Sequence, residues 1–487
     1  MIDRAERACA EGVAAQQRGD IAAALVAFGH AVAQAPARLD LRLVQAYALA
    51  ASGDRAAAAA VLDATPDIER LTERAARQLT DAALPIHADH AAECALRVAL
   101  RTAPHDASLH AALGAIAERR DRIDEAADHL STALRLDAHY APALVTRARV
   151  EAIAGQWLAA RATLDDAVAI DPTNANARYQ RGLVQLTLGD FSTGWHDAEA
   201  RRALRWHQQA APAQLPPWDG SSTAVPSLLV WGEQGLGDQL QFARFVPLLA
   251  QRTGVPVTLH VAPALCTLLS SRLPSIHVAA LGSPAPVGAH HVPLMSLPAL
   301  LGITTASQFG AAPYLAGAAC VRRIPALPPR IGLCWAGNPA HARDRERSIP
   351  ADALPTLLNA VAAEWVSLQV GGINALRASH PTVAAQLTDG VPDVADFLDT
   401  AHRMATLDAV VTADTSVAHL AGALGIPTWI LIPPLPDWRW QVEAERSPWY
   451  GSATLVRRHR REQWRDVLPR VATQLASYFR TLGTVAA

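Results

Sequence analysis

The stretch AVVTADTSVAHLAGALGIPTWILIP, residues 409–433, decides the fold of the second half of this chain. Its first five residues, Ala409–Ala413, form a short apolar run that predicts a buried strand. The polar triplet at 414–416 then supplies the kind of residues with which helices begin. Glycines and a proline divide the apolar remainder, His419–Pro433, into a buried helix and a second strand. This order of elements indicates an α/β domain with a parallel sheet.

Two earlier stretches have the same order of an apolar strand, a glycine-containing loop and further polar chain. The first is SLLVW at 227–231, followed by GEQGLGD at 232–238 and a helix from about Gln239. The second is RIGLCW at 330–335, followed by a polar, basic loop that ends at Ser348. Each predicts the first strand of a doubly wound sheet. Two such sheets in tandem place a ligand-binding crevice between two lobes.

Turn signals recur through the first two hundred residues at a spacing of 34 or twice 34. They lie at Gly19-Asp20, Gly53-Asp54, Asp121-Arg122, Gly155-Gln156 and Gly189-Asp190, with a weak member around His87. Small residues recur at fixed positions on both sides of these turns, and prolines end the second helices. The period and the small positions resemble the tetratricopeptide repeat. Six repeats are predicted from about Ala5 to His207, because an ordinary alanine-rich bundle would not keep one phase over six turns.

The composition is that of well-packed globular domains. Of the 487 residues, 51% are hydrophobic and 18% are charged, and the formal net charge is -2 without a long run of one sign. This argues against disorder, a general nucleic-acid binder and a membrane-surface binder. The N-terminus MIDRAERACAEG contains acidic residues and no apolar core, so it does not read as a signal peptide, and five scattered cysteines fit a reducing compartment. No membrane span is expected, and the cytoplasm is the expected location.

Three motifs in order carry a resemblance to a known family. They are WGEQGLGDQLQFARFVPLL at 231–249, GLCWAGNPAHARDRERSIP at 332–350 and VTADTSVAHLAGALGIPTWILIP at 411–433. Together they resemble the catalytic region of bacterial repeat-containing glycosyltransferases. That region is similar to the ADP-heptose:lipopolysaccharide heptosyltransferase family, which are inverting enzymes of the GT-B fold. The layout is also similar to the O-GlcNAc transferases, and the resemblance runs from Ala5 to about Leu482.

The resemblance implies an α plus α/β fold, in which an N-terminal α-solenoid of tetratricopeptide repeats precedes a GT-B pair of Rossmann-like domains. We expect the solenoid in residues 1–208 and a proline-rich linker in 209–227. The first lobe, on the acceptor side, is then expected in 228–325. The second lobe, on the side of the nucleotide-sugar donor, is expected in 326–487, with its last helix crossing back.

The glycine-rich loop supplies the candidate catalytic residues. Gly235 and Gly237 allow close backbone approach at a strand-to-helix turn, and we assign both to the donor site. In the heptosyltransferases the aspartate at this motif position is the proposed general base. The resemblance therefore implies that Asp238 removes the proton of the acceptor hydroxyl, with Glu233 as the alternative base. A simple helix cap would give Asp238 the same appearance in the sequence.

The third motif supplies most of the candidate donor-binding residues. It opens a helix, so its backbone N–H groups can hold a diphosphate. By resemblance, the phosphates contact Thr415, Ser416, Val417 and His419, while Asp414 organises the loop. A capped helix that packs on the sheet, with the histidine satisfied by a neighbour, is the structural alternative.

The loop from Asn338 to Ser348 carries three arginines at alternating positions. A departing nucleoside diphosphate needs positive charge, and without a metal this charge comes from side chains and helix ends. The heptosyltransferases use a lysine near this point, whereas this sequence offers only arginines. We select Arg343 and Arg347 as donor-binding residues over Arg345. A solvated basic loop is the structural alternative. Asn338, Ser348 and Gln369 complete the candidate donor site, and the loop PDWRW at 436–440 is a candidate for base or sugar stacking.

The resemblance implies an inverting glycosyltransferase that moves a hexosyl or heptosyl group from a nucleotide-diphosphate sugar to a hydroxyl acceptor. The C-terminal half contains no DxD motif and no metal-ligand cluster, so no metal and no cofactor are expected. The concave face of the repeats would present a protein or glycan acceptor. The alternative is a non-catalytic repeat scaffold with a degenerate transferase region. A sugar epimerase of similar two-lobed fold is a weaker alternative, because it would give the repeats no task.

Overall fold

The computed structural model describes residues 4–221, 224–316, 328–339 and 343–485. Contacts between residues divide the chain into two compact units. The first comprises Met1–Glu151 with Ala162–Asp171, and the second comprises Ala152–Arg161 with Pro172–Ala487. The first unit is helical, and the second holds both β-sheets together with the last pair of repeat helices.

Twelve helices follow one another in the described part of the chain before residue 199, and they form six consecutive pairs along the sequence. They are α1 Arg4–Gln17, α2 Ile21–Gln34, α3 Leu39–Ala51, α4 Arg55–Asp63, α5 Glu73–Ala83, α6 Asp89–Thr102, α7 Ala107–Arg119, α8 Ile123–Leu136, α9 Ala141–Ile153, α10 Trp157–Ile170, α11 Ala175–Thr187 and α12 Phe191–Ala198. This arrangement confirms the predicted run of six helical repeats.

The turn inside each pair contains one residue with positive φ, and these residues keep a constant spacing of 34. They are Gly19 (80°), Gly53 (94°), His87 (60°), Asp121 (57°), Gly155 (79°) and Gly189 (85°). Glycine adopts this left-handed backbone readily, whereas histidine and aspartate do so less often. The repeat around His87 therefore keeps the backbone of the others although its turn lacks glycine, which explains its weak signal in the sequence.

Small residues are required where the two helices of a pair touch. A Cβ added to Gly12 would lie 2.5 Å from the ring of Phe28 in α2, and one added to Gly114 would lie 2.7 Å from Leu130 in α8. Both distances are shorter than real Cβ contacts allow. The small residues that define the repeat in the sequence are thus the places of closest helix approach.

Both sheets of the second unit are parallel throughout. The strands are β1 Leu228–Trp231, β2 Val257–Val261, β3 His277–Ala280, β4 His290–Pro293, β5 Arg330–Cys334, β6 Glu364–Ser367, β7 Thr388–Asp389, β8 Ala409–Ala413, β9 Thr428–Ile432 and β10 Ala453–Arg457. The first sheet has the order β3-β2-β1-β4 and the second β10-β9-β8-β5-β6-β7. β1 and β5 each begin a sheet and occupy its interior, as the apolar runs at 227–231 and 330–335 predict.

The remaining helices connect and cover these strands. They are α13 Arg205–Ala210, α14 Leu236–Ala243, α15 Val246–Thr253, α16 Pro263–Arg272, α17 Leu297–Leu300, α18 Asp344–Arg347, α19 Pro355–Leu358, α20 Gly372–Ser379, α21 Pro381–Ala384, α22 Phe397–Met404, α23 Ser416–Leu424 and α24 Trp464–Val485. The long α24 packs Val467, Val471 and Leu475 into the core of the second sheet. That α24 crosses back to the first lobe stays a prediction.

Part of the proline-rich segment between repeats and lobes joins the first sheet. The backbone N–H of Trp218 donates to the carbonyl of His291 at 2.8 Å, and the N–H of His291 donates to the carbonyl of Pro216 at 2.9 Å. The segment therefore pairs with β4, and the side chain of Trp218 is buried in the core.

An aromatic cluster joins three parts of the second unit: α12, the first lobe and the second lobe. The ring of Trp195 in α12 lies 6.1 Å from that of Phe242 in α14 and 5.2 Å from that of Trp438. Trp449 lies 5.8 Å from Trp438 and stacks on Phe309 at 3.8 Å. Edge-to-face and stacked rings at such distances stabilise a packed core. The last repeat pair and both lobes consequently share one hydrophobic core.

In each sheet the strand order reverses beside its first strand, between β1 and β4 and between β5 and β8. Ligands of open α/β sheets bind outside the carboxyl ends of the strands at such a switch point. The loop 232–235 follows β1, the loop from 335 follows β5, and Asp414 follows β8. The topology alone therefore brings the three sequence motifs to the ligand-binding edges of the sheets.

Candidate functional site

The start of α14 lies against the start of α23, so the glycine-rich loop of the first lobe meets the third motif in the second lobe. A Cβ added to Gly237 would lie 2.6 Å from Cδ2 of His419 and 3.5 Å from Cα of Ser416. A side chain at position 237 would not fit between these groups, and glycine permits the approach. Two motifs that lie 180 residues apart in the sequence are thus neighbours in the fold.

Asp238 lies at this junction with both carboxylate oxygens engaged. Oδ2 accepts a hydrogen bond of 2.8 Å from the N–H of Gly235 and thereby caps α14. Oδ1 forms an ion pair with the guanidinium of Arg439 from the second lobe. Burial raises the pKa of Asp238, and the positive charge of Arg439 opposes that rise. The side chain of Asp238 keeps 18% of its surface exposed.

Arg439 is the charged group at the centre of the junction. Its side chain is 6% exposed and also donates to Oδ1 of Asp437 at 2.6 Å and to the side-chain oxygen of Gln241. The guanidinium lies 4.4 Å from the ring centre of Trp438, within the range of a cation–π contact. The sequence pattern of this loop indicates base or sugar stacking through its aromatic residues and assigns no role to Arg439. The basic residue between two tryptophans was a signal, but its partner Asp238 lies 201 residues away in the sequence.

Glu233, the alternative base, faces the other side of the loop and is buried, with 1% of its side chain exposed. Arg201 donates to both carboxylate oxygens, at 2.7 and 2.9 Å, and the N–H of Met295 donates at 3.0 Å. His207 Nε2 lies 3.1 Å from Oε2. Burial opposes ionisation, but Arg201 and His207 outweigh it and hold the pKa of Glu233 at about 2. This set of donors favours a structural role for the carboxylate.

The start of α23 is ordered by its own residues. Thr415 caps the helix, because its Oγ1 accepts from the N–H of Val417 at 3.3 Å. Asp414 precedes it and is partly buried. Burial, together with the negative charge of Asp437, raises the pKa of Asp414 to about 6. The carbonyl of Asp414 accepts from Arg347 at 3.3 Å, which ties the third motif to the basic loop.

His419 points from α23 into the protein. It is buried, its Nδ1 lies 2.9 Å from the hydroxyl of Tyr450, and its ring stacks on Trp440 with centres 5.4 Å apart. Burial lowers the pKa of His419 well below its ordinary value, and the charges of Arg439 and Arg244 lower it further. The imidazole is therefore neutral at physiological pH.

The basic loop contacts the second lobe through two of its arginines. Arg347 donates a hydrogen bond of 3.0 Å to the carboxylate of Asp344. Its guanidinium also lies close to Gly337, because a Cβ added to that glycine would be 2.3 Å away from it. Arg343 bonds Glu346 at 2.6 Å and the carbonyl of Leu435 at 3.0 Å. Residues 340–342 of this loop lie outside the described residues.

Three further predicted residues lie along the same edge of the second sheet. Ser348 accepts from the N–H of Gly337 at 3.1 Å and donates to Asp344 at 3.0 Å. The side-chain oxygen of Gln369 accepts from the N–H of Ala336 at 3.0 Å. Asn338 is exposed on the loop after β5. The structure thus brings Gly237, Asp238 and the start of α23 together, sets the basic loop beside Asp414 and turns Glu233 away.

The fold and the site define a class of protein: helical repeats of the tetratricopeptide type followed by two Rossmann-like lobes, with the candidate site where the lobes meet. No family model matches the sequence. One curated relative, Protein FlbA of Caulobacter vibrioides, is 25% identical over 351 residues, which cover 62% of this chain and 55% of the relative. The chain thus spans about half the length of the curated relative that it matches.

Similar solved structures include two transferases. The E. coli ADP-heptose lps heptosyltransferase II is 16% identical and matches 52% of this chain and 99% of its own, with a TM-score of 0.35. A mutant of the Thermobaculum terrenum O-GlcNAc transferase is 14% identical and matches 85% of this chain and 94% of its own, with a TM-score of 0.33. Likenesses this distant do not bear on the activity of this chain.

Two findings on the described residues concern membrane spans and metal ions. None of their helices combines the length and the apolar character that crossing a bilayer requires. No group of three or more histidine, cysteine, aspartate or glutamate side chains among them is arranged to hold a metal ion. The metal-free reaction stays a prediction.

Proposed function

We propose that this chain is an inverting, metal-independent glycosyltransferase of the GT-B type that uses a nucleotide-diphosphate sugar. The observation that carries the proposal is the contact of Gly237 with Ser416 and His419. This contact sets the residue next to Asp238 against the start of α23, and the two loops concerned lie at the switch points of their sheets. A base and an anion-binding helix start at one junction are what transfer from a diphosphate donor requires.

In the proposed reaction, Asp238 takes the proton from the acceptor hydroxyl, whose oxygen attacks the anomeric carbon on the face opposite the diphosphate. The bond from that carbon to the diphosphate breaks, and its electron pair leaves with the diphosphate. The N–H groups at the start of α23 and the guanidinium of Arg347 stabilise the developing negative charge. Asp238 is the better base of the two candidates, because Arg201 and Met295 occupy the carboxylate of Glu233.

The finer assignments belong to the same proposal. The donor-binding residues are those of the third motif and the basic loop, with Gln369 beside them. The repeats in 1–208 present a protein or glycan acceptor, the first lobe in 228–325 takes the acceptor hydroxyl, and the second lobe in 326–487 takes the donor. We place the reaction in the cytoplasm.

A binding screen followed by a turnover assay tests the proposal. We expect one of the ADP-, GDP-, UDP- or TDP-sugars to raise the melting temperature of the full chain, because a ligand that binds only the folded state stabilises it. Asp238→Asn should retain donor binding and lose turnover by a factor of about 100 or more, as expected for loss of a general base. Asp352→Asn is the control, because Asp352 is an exposed aspartate on the second lobe. Full turnover in Asp238→Asn would refute the base assignment.

The same experiment distinguishes the proposed enzyme from a non-catalytic scaffold. In the structure both oxygens of Asp238 are already engaged, by Gly235 and Arg439, which is the specific observation in favour of a structural carboxylate. A chain that binds a nucleotide-sugar but neither transfers nor hydrolyses it would support the scaffold and contradict the enzyme.

A further inference from the structure

The guanidinium of Arg439 resembles an anion-binding site that is occupied by carboxylates of the protein itself, including that of Asp238. The guanidinium contacts the side chains of Asp238 and Asp437, and the carboxylate of Asp414 adds to the negative field around it. Guanidinium groups bind phosphate through the same paired N–H donors that they offer to carboxylates. A diphosphate could therefore replace one carboxylate on Arg439 without the arginine changing its mode of binding.

A second observation points to a missing acceptor at this place. Gln241 accepts a hydrogen bond from Arg439 through its side-chain oxygen. Its side-chain Nε2 is buried, and no described residue accepts a hydrogen bond from it. A buried amide donor without an acceptor is unfavourable, because it has lost its hydration and no hydrogen bond replaces it. A phosphate oxygen near Arg439 would supply that acceptor.

Aromatic rings restrict access to the guanidinium of Arg439. Trp438 covers one face of the guanidinium, and Phe242 lies 6.0 Å from it. Asp238, by contrast, keeps part of its surface exposed and follows Gly237, which lies against the start of α23. An anion held at the start of that helix would meet Arg439 on the side that Asp238 now occupies.

We propose that Arg439 binds the diphosphate of the donor, and that Asp238 holds this place on the guanidinium until the donor arrives. This inference rests on the proposed function. Donor binding would transfer the guanidinium from the carboxylate to the phosphate oxygens, which frees Oδ1 of Asp238 to accept the proton of the acceptor. The donor would consequently bind before the acceptor can react.

Calorimetric titration of the full chain tests this with inorganic pyrophosphate and with ADP, GDP, UDP and TDP. Arg439→Met should weaken pyrophosphate binding by about tenfold or more, the loss expected for a charge-assisted hydrogen bond. Asp238→Asn should strengthen it several-fold, because the competing carboxylate is gone. Arg439→Met combined with Asp238→Asn leaves neither charge buried without its partner, and this double variant should bind as weakly as Arg439→Met. Arg439→Lys, which keeps the charge, should fall between the wild type and Arg439→Met.

The outcomes separate the two proposals. Equal pyrophosphate affinity in the wild type and in the folded double variant would overturn the role of Arg439, as would weaker binding in Asp238→Asn. If nucleoside diphosphates bind all variants with equal affinity, the proposed transferase function is still supported. The proposed role of Arg439 in binding the donor is then contradicted. Pyrophosphate binding that depends on Arg439, without binding of any nucleotide, would keep the anion site and refute the nucleotide-sugar donor. A wild type that binds neither probe overturns both.

Discussion

At the scale of single residues, Gly237 is a position where one added methyl group should have a large local effect. His419 is held by Tyr450 and Trp440, so its ring has little room to move away from a new Cβ. We expect Gly237→Ala to lower the free energy of unfolding of the second unit by about 1–3 kcal/mol, as overpacking usually does. Denaturant unfolding measures this. Gly451→Ala is the matched control, because its Cβ would meet its nearest neighbour at an ordinary 3.5 Å. Equal losses in both variants would contradict the close contact.

The buried neutral His419 should make stability depend on pH. In the folded chain its pKa lies well below the ordinary value, whereas in the unfolded chain the imidazole takes up a proton near pH 6.5. The unfolded state therefore binds more protons as the pH falls through that value. The free energy of unfolding should drop by up to about 1.4 kcal/mol per pH unit.

The comparison with His419→Gln isolates this contribution, since glutamine does not titrate. The advantage of the wild type over the variant should shrink between pH 7 and pH 5 in denaturant titrations. An advantage that stays constant over this range would show that the histidine is protonated in the folded protein as well.

At the scale of the helix pair, the same glycine-to-alanine change should differ in effect between repeats. At Gly182 an added Cβ would meet backbone atoms, the N of Ala198 at 2.6 Å and the O of Gly194 at 2.9 Å. At Gly114 the nearest atoms belong to the side chain of Leu130, which can change rotamer. We expect Gly182→Ala to lower the local opening free energy by about 1–2 kcal/mol more than Gly114→Ala.

Hydrogen exchange resolves this prediction, because each pair of helices in a repeat array opens partly on its own. Amides of α11 and α12 should lose more protection in Gly182→Ala than those of α7 and α8 lose in Gly114→Ala. The reverse order would mean that the backbone of α12 yields more readily than the side chain in α8.

The elements themselves could be predicted because their signals are local. The phase of 34 residues places the repeat turns, including the one at His87 that lacks glycine. The apolar runs before the glycine loops place β1 and β5. What could not be predicted are the ion pairs of Arg439 and Arg201, because each joins side chains whose proximity depends on how whole elements pack. The local pattern around Glu233 and Asp238 suited either of them as a base, and their long-range partners distinguish the two.

At the scale of the whole molecule, the buried ion pair of Arg201 and Glu233 joins the chain after α12 to the loop after β1. Arg201→Met leaves the carboxylate of Glu233 buried without its main partner and should destabilise the second unit by about 3–5 kcal/mol. Combining Arg201→Met with Glu233→Met should restore much of that loss, because apolar groups of similar size replace buried ion pairs well. Denaturant unfolding of both variants measures the difference. A double variant no more stable than the single one would mean that His207 and Met295 already compensate the carboxylate of Glu233 when Arg201 is absent.

The aromatic cluster around Trp195, Trp438 and Trp449 should give the protein a characteristic circular dichroism spectrum in the near ultraviolet. Indole rings whose centres are 5 to 6 Å apart couple electronically and contribute strongly to circular dichroism in the near ultraviolet. These rings come from α12 and from the loops flanking Arg439. Loosening of the packing between these elements should therefore weaken the near-ultraviolet circular dichroism, while the helical signal in the far ultraviolet persists. Events at the lobes can thus be followed in the native chain without any attached dye.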